Sequence, residues 1–432
     1  MDRNGAEIMT VTVKPGQIAG DVTIIPSKSH LHRLLIAAAL ADGETFLRSG
    51  QTEAEDVEAT IACLQALGAE IVRRAGGFQV KPIDRTKLPE SAILPVRESG
   101  STLRFMLPIV CALGVQGEFH MAGRLPERPM EPLDRELTQK GIRLWKKSSD
   151  ILCTEGQLRS GAFELPGDIS SQYITGLLLA LPLLAGDSHL IVHEPIESED
   201  YIEMTQEVLE TFGGLPEKRG NRYQMKGSEI FRSPGTTLVE GDWSNAAFWL
   251  VAGAMPGGNI RLGGLNPESK QGDKEVCAIL RRMGANVTWE NGIITVTEGV
   301  RRSTEIDAAG VPDLIPVLSA IAAVCEGTTI VRNAARLRIK ESDRLTATAQ
   351  TLNALGAKVK ELPEGLEITG VPRLIGGAVD SWGDHRIAMT AAIASAACEN
   401  PVTITGAEAV RKSYPQFWRE LERLDKHLTI EE

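Results

Sequence analysis

The sequence predicts an α/β protein of two domains, each assembled from three copies of one repeating unit around buried helices. Three observations carry that expectation. Six uncharged or nearly uncharged helical runs recur, LLIAAALADGETFL, FMLPIVCALGVQGEFHM, GLLLALPLLAGDSHLIV, FWLVAGAMPGGNIRL, PVLSAIAAVCEGTTIV and IAMTAAIASAACENPVTI, each closing on a small-residue turn and a short β-like segment. Their turn positions, Gly43, Gly117, Gly186, Gly258, Gly327 and Asn400, are separated by 74, 69, 72, 69 and 73 residues, a regularity that chance does not produce. The chain of 432 residues also exceeds the roughly 250 to 300 that one core usually supports.

The elements follow in order. A helix apolar on every face has to be buried on every face, so the six runs belong inside. Amphipathic segments come next, as in DVEATIACLQALGAEIV, YIEMTQEVLETFGG, EVCAILRRMGANVTW and TLNALGAKVK. Most close on a glycine suited to a left-handed helix end, at Gly68, Gly141, Gly213, Gly284 and Gly356. Alternating stretches then read as hairpins, with Asn291-Gly292 in NVTWENGIITVTE as the turn. One unit is thus a buried helix, a strand, a surface helix and a hairpin. The chain should cross between domains near residues 24–26 and 239–242, giving a discontinuous domain of 1–25 and 240–432 and a continuous one of 26–239.

Composition excludes several classes. An apolar share of 42 % with 24 % charged residues describes a soluble globular chain. A formal net charge of -11 argues against nucleic acid or an anionic membrane as the partner, so any anion site must be local. The start, MDRNGAEIMTVTVKPG, has no apolar signal core, and no continuously apolar run reaches the roughly 18 to 20 residues that span a bilayer. The expected location is the cytoplasm. The cysteines at 63, 111, 153, 277, 325 and 398 form no CxxC pair and read as buried free thiols. His30 and His32 are the closest pair of histidines and lack companion ligands, so no metal is expected.

The helix entrances carry the chemistry. In IPSKSHLHRLLIAAAL, Lys28, His30, His32 and Arg33 stand where a helix dipole favours acids by about 0.3 to 1 kcal/mol. Cations there imply an anion between them. The same end of the other runs holds Ser99, Gly100, Ser101 and Arg104; Ser170, Ser171 and Gln172; Asp242, Ser244 and Asn245; Asp313; and Asp384, His385 and Arg386. The connections into the surface helices add Arg128, Ser198, Tyr201, Lys340, Glu341, Arg344 and Lys412. Any one of these could be a surface ion pair. Together, Lys28, Arg33, Arg128, Lys340, Arg344, Arg386 and Lys412 suit two polyanionic ligands side by side, with backbone N–H groups and serine hydroxyls as further donors.

PSKSHLHR, ESGSTLRF, RPMEPL, GDISSQY, VEGDWSNAAF, VPDLIPV, RIKESDRL, GDHRIAM and RKSYPQF, spread from end to end, closely resemble the 5-enolpyruvylshikimate-3-phosphate synthase family of enolpyruvyl transferases. The resemblance implies a two-domain inverse α/β barrel of six βαβαββ repeats, three per domain, with the active site in the cleft between domains. The implied reaction moves the enolpyruvyl group of phosphoenolpyruvate to the 5-hydroxyl of shikimate 3-phosphate and releases phosphate. By position, Lys28, Ser29, Arg33, Ser170, Ser171, Gln172, Ser198, Asp313 and Lys340 fall on contacts to shikimate 3-phosphate. Lys28, Gly100, Arg128, Gln172, Arg344, Arg386 and Lys412 fall on contacts to phosphoenolpyruvate. Asp313, Glu341 and Lys28 are the implied catalytic groups, at the hydroxyl, the methylene carbon and the bridging oxygen; no cofactor is implied, and the expected state is a monomer. His32, Glu98 and Arg336 depart from the common pattern. The related UDP-N-acetylglucosamine enolpyruvyl transferases share the repeats but typically place a Cys where this chain reads GRLPERP. A noncatalytic phosphometabolite-binding protein is the alternative from another class.

Overall fold

All six apolar runs form helices, Lys28–Ala39, Gly100–Leu113, Ser171–Ala180, Trp243–Ala254, Ile315–Ala322 and His385–Ala394. The computed structural model describes residues 8–50, 52–425 and 428–431, so the first seven residues of the expected 1–25 segment lie outside it. These inner helices have almost no exposed position, and every residue of Trp243–Ala254 and Ile315–Ala322 is buried. Burying one such aliphatic side chain is worth about 1.5 to 3 kcal/mol, which is why uncharged helices end up inside.

One unit is seen whole between residues 91 and 156. The strand Ser91–Arg97 leads into the inner helix Gly100–Leu113, and Gln116–Met121 returns parallel to it. The short helix Leu133–Gln139 follows, and the hairpin of Ile142–Lys146 and Ile151–Gly156 completes a four-stranded sheet ordered first, second, fourth, third. Six four-stranded sheets occur among the described residues. The surface helices stop where the glycines predict, with Gly68, Gly141, Gly213, Gly284 and Gly356 all at positive φ. Asn291 and Gly292 take φ of 51° and 77°, the left-handed pair that a tight hairpin requires.

Two sheets exchange their first strands. Ala19–Thr23 leads into the helix Lys28–Ala39 but pairs with Asn259–Gly263, while Thr236–Leu238 leads into Trp243–Ala254 but pairs with Thr45–Arg48. The exchange makes one body discontinuous, so that the chain divides into 1–25 with 241–432, and 26–240. Glu240 falls with the second body, one residue beyond the boundary read from sequence. Its carbonyl accepts from the Ser27 N–H at 2.7 Å, and its own N–H donates to His30 Nδ1 at 3.2 Å. In the sheet that ends the chain, Thr10–Val13 lies between Val402–Thr405 and Leu428–Glu431.

Each unit has its own apolar core. All six cysteines are buried and free. Among the described residues no helix is long and apolar enough to cross a membrane.

Candidate active site

In unit 26–240 the entrances of three inner helices carry the expected residues. Ser27, Ser99 and Ser170 cap these helices, their hydroxyls accepting from the N–H groups of His30, Thr102 and Gln172. Ser170 therefore has a local task besides any ligand. Lys28 is held by Asp56, Nζ to Oδ2 at 2.6 Å, which supplies part of the anion that its position demands. Arg33 is almost wholly buried and rests on neutral acceptors: Nε on Thr205 Oγ1 at 2.8 Å, Nη1 on the Ser29 carbonyl at 2.7 Å, and Nη2 on Thr175 Oγ1 and the Tyr201 carbonyl, both at 3.2 Å. Phe105 and Tyr201 flank its guanidinium at 5.0 and 5.9 Å from their ring centroids. Burial pulls the Arg33 pKa down to about 10, still fully charged at neutral pH. Four of its five N–H groups are thus committed inside the unit, more than an open anion site suggests.

Gly100 lies beneath two guanidinium groups. A Cβ built on it would stand 2.5 Å from Arg104 Nη1 and 2.6 Å from Arg128 Nη1. Arg104 Nη1 donates to Gln172 Oε1 at 2.9 Å, and Gln172 Nε2 donates to Ser101 Oγ at 2.9 Å, so the Gln172 amide is oriented from both ends. Close approach of the two inner helices permits this, since a Cβ on Gly176 would meet the Arg104 carbonyl at 2.2 Å. The loop before Ser170 and the loop before Ser198 are joined by backbone bonds between Gly167 and both His193 and Glu197. Ser198 is buried at a φ of 56°, directly ahead of the helix Glu199–Thr211.

In unit 241–432 the expected residues form a tight network of ion pairs. Arg344 is 1 % exposed and touches three carboxylates: Asp313 Oδ1 through Nη1 at 2.7 Å, Glu341 Oε2 through Nη2 at 2.7 Å, and Asp384 Oδ2 through Nε at 2.8 Å. Arg386 Nη2 reaches Asp313 Oδ2 at 3.1 Å, and Lys340 Nζ lies 3.6 Å from Asp313 Oδ1. Burial alone would raise the Asp313 pKa, but Arg386, Lys340 and Arg344 outweigh it and hold the carboxyl well below its usual range. Burial has the opposite consequence for Lys340, whose ammonium falls to about 8 despite the attraction of Asp313. Lys412 Nζ donates to the Gly383 carbonyl at 2.7 Å, which ties it to the loop that carries Asp384. Asp242 and Asp384 cap their inner helices, accepting from the N–H groups of Asn245 and Arg386.

Sequence reading assigned no role to Asp56, which looks like an ordinary first-turn acid of the helix Glu55–Ala66. Arg104 stood out at its helix entrance without a task. Asp273 was missed altogether; it is buried and bonded to the Ser244 hydroxyl, and burial and then Asp313 lift its pKa to about 7 against Arg386 and Ser244.

The model of the EPSP synthase (3-phosphoshikimate 1-carboxyvinyltransferase) family matches residues 12–421. The chain belongs to the EPSP synthase family. It is 42 % identical over 425 residues to the 3-phosphoshikimate 1-carboxyvinyltransferase of Clostridium beijerinckii, covering 95 % of this chain and 96 % of that one. It is also 42 % identical over 420 residues to the protein of that name in Clostridium acetobutylicum, covering 96 % and 97 %. An EPSP synthase structure from Acinetobacter baumannii superposes with a TM-score of 0.81 at 25 % identity, over 98 % of this chain and all of the other. The two-domain α/β fold is therefore that of EPSP synthases, and the resemblance read from nine short motifs extends over the chain.

Proposed function

We propose that this protein is a 3-phosphoshikimate 1-carboxyvinyltransferase, acting as a cytoplasmic monomer on phosphoenolpyruvate and shikimate 3-phosphate. The observation that carries the reading is the cluster in which Lys340, Arg344 and Arg386 surround Asp313 while the same Arg344 holds Glu341, two carboxylates joined through one buried guanidinium. It is supported by relatives of that name over nearly the whole chain.

The chemistry needs two protons moved. The 5-hydroxyl oxygen adds to C2 of phosphoenolpyruvate while C3 gains a proton and the hydroxyl loses one. In the second half C3 loses a proton and the C2–O bond to phosphate breaks, with that electron pair leaving on phosphate. Asp313 receives the hydroxyl proton and Glu341 serves C3 in both directions, each worth on the order of 10² to 10⁴ in rate. Lys28 neutralises the bridging and departing oxygens. Asp313 in its present surroundings is a weak base; ligand anions drawn to Arg344 and Arg386 place negative charge beside it and strengthen it. Lys340, being protonated below about pH 8, stays beside Asp313 as the cation of the pair.

Ser29, Arg33, Ser170, Ser171, Gln172 and Ser198 hold shikimate 3-phosphate, and Gly100, Arg128, Gln172, Arg344, Arg386 and Lys412 hold phosphoenolpyruvate. Lys28 serves both. Phosphate release from phosphoenolpyruvate, measured with shikimate 3-phosphate and separately with UDP-N-acetylglucosamine, tests the assignment. Release only with the first is expected; release only with the second, or with neither, would overturn it.

A further inference from the structure

Inside unit 26–240 four side chains form a buried hydrogen-bond chain that none of the assigned roles uses. His32 Nδ1 lies 2.7 Å from Thr60 Oγ1, Thr60 Oγ1 lies 2.7 Å from Thr102 Oγ1, and Thr102 Oγ1 donates to Ser99 Oγ at 2.7 Å. It also reaches the Asp56 carbonyl at 3.3 Å. His32 and Thr60 have no exposed surface at all.

The direction of the chain is fixed from both ends. A threonine hydroxyl has one hydrogen. Thr102 gives its hydrogen to Ser99 or Asp56, so the bond between the threonines must take its hydrogen from Thr60. Thr60 then has none left for His32, and the imidazole must donate through Nδ1–H. The other end agrees. His32 Nε2 is buried without a hydrogen-bond partner, and a bare ring nitrogen is less costly there than a stranded N–H. Burial, with Lys28 and Arg33 close by, also keeps the ring neutral.

We infer that His32 is a positioning residue, which as the neutral Nδ1–H tautomer drives a hydrogen-bond chain through Thr60 and Thr102 that fixes the Ser99–Gly100 turn relative to Lys28 and Asp56. The chain joins three elements at the places that matter. His32 lies on the helix that starts with Lys28; Thr60 lies one turn from Asp56, the partner of Lys28; and Ser99 caps the helix that opens with Gly100. Because Gly100 lies against Arg104 and Arg128, a shift of the Ser99 cap moves the floor under two guanidinium groups. His30, on the same helix, has the opposite tautomer, since its Nδ1 accepts from the Glu240 N–H. Two histidines two residues apart therefore use the same ring atom in opposite senses.

The effect on catalysis rests on the phosphoenolpyruvate site proposed above; the direction of the chain does not. Asn and Leu place an N–H group and a methyl respectively where His32 has Nδ1, and both leave the same space where the outer ring was. His32→Asn should keep the KM for phosphoenolpyruvate near the parent value, whereas His32→Leu should raise it about two- to tenfold, the worth of one hydrogen bond, with a smaller change in kcat. Thr60→Val should act like His32→Leu, and serves if the latter does not fold. Imidazole nitrogen NMR of the unmodified protein reads the tautomer directly, and a neutral Nδ1–H ring at His32 is expected, persisting well below the ordinary imidazole range. An Nε2–H tautomer would overturn the inference, as would equal KM values for His32→Asn and His32→Leu together with an unaffected Thr60→Val. Should the parent protein fail to turn over these substrates, the functional reading falls while the NMR result still decides the chain.

Discussion

The two units hold their buried arginines in opposite ways. Arg33, in unit 26–240, rests on two threonine hydroxyls and two carbonyls, so its charge is kept without being cancelled. Arg344, in unit 241–432, sits among three carboxylates and is more than cancelled. The difference teaches how each unit can serve an anionic ligand. Neutral acceptors leave a positive field already set for a phosphate, whereas a saturated ion-pair network releases its cations only when a ligand offers better anions, and frees carboxylates for proton transfer as it does so.

The largest effect should come from cutting these networks. Arg344→Met takes from Asp313, Glu341 and Asp384 the guanidinium they share, leaving Asp313 to Arg386 and Lys340 and the fully buried Asp384 without its arginine, and should cost about 3 to 5 kcal/mol of stability. Arg33→Met removes four hydrogen bonds to neutral acceptors, of which Thr175, Thr205 and the Tyr201 carbonyl keep one another, for about 1 to 3 kcal/mol. Denaturant unfolding of the two variants measures the gap, and equal losses would erase the contrast between charged and neutral support.

Acid should expose a second contrast. Burial takes the His30 pKa down to about 4, with Glu240 opposing and Arg33 assisting, from an ordinary 6.5. Between those values the unfolded chain binds a proton that the folded one refuses, so stability present above pH 6.5 is lost as the pH falls to 4. The loss amounts to about 3 kcal/mol if His30 acts alone. His30→Asn keeps an acceptor for the Glu240 N–H and removes the titration, so its melting temperature should decline less over that range. Identical acid profiles for parent and variant would show that His30 does not govern the decline.

Gly100→Ala probes the neutral unit from the ligand side. The new methyl can be accommodated only if Arg104 and Arg128 swing away, and overpacking of this kind costs about 1 to 3 kcal/mol. Saturation curves should show the KM for phosphoenolpyruvate raised and that for shikimate 3-phosphate nearly constant. Parallel weakening of both would mean that Gly100 shapes the unit rather than the site. A smaller effect is expected at Lys340, where kcat/KM should fall above pH about 8 as the ammonium loses its proton. Lys340→Arg should push that limb beyond the measured range; an unmoved limb assigns it to another group.

These contrasts were only partly visible in the sequence. The inner helices and the glycines that end the surface helices were legible because each is a local matter: an uncharged run has to be buried, and Gly284 or Gly356 is needed where φ is positive. The strand exchange was legible only as a crossover point, since Ala19–Thr23 chooses Asn259–Gly263 over the nearer Thr45–Arg48 through contacts that no local pattern records. The site divided the same way. Cations at the helix entrances stood out against the dipole, but Asp56 lies 28 residues from Lys28 and Thr205 lies 172 from Arg33, so what holds each cation could not be read. Ser99, Ser170, Asp242 and Asp384 looked like ligand groups and prove to be helix caps.

In the proposed mechanism Glu341 gives a proton to C3 and takes one back. Turnover of phosphoenolpyruvate and shikimate 3-phosphate in deuterated water measures this directly, because each passage through the methyl stage can place solvent deuterium in the product methylene. The unmodified enzyme should incorporate deuterium, and Glu341→Gln, which keeps the shape and a hydrogen-bonding oxygen near Arg344, should bind both ligands yet lose both incorporation and turnover. Incorporation at the parent rate in Glu341→Gln would contradict it.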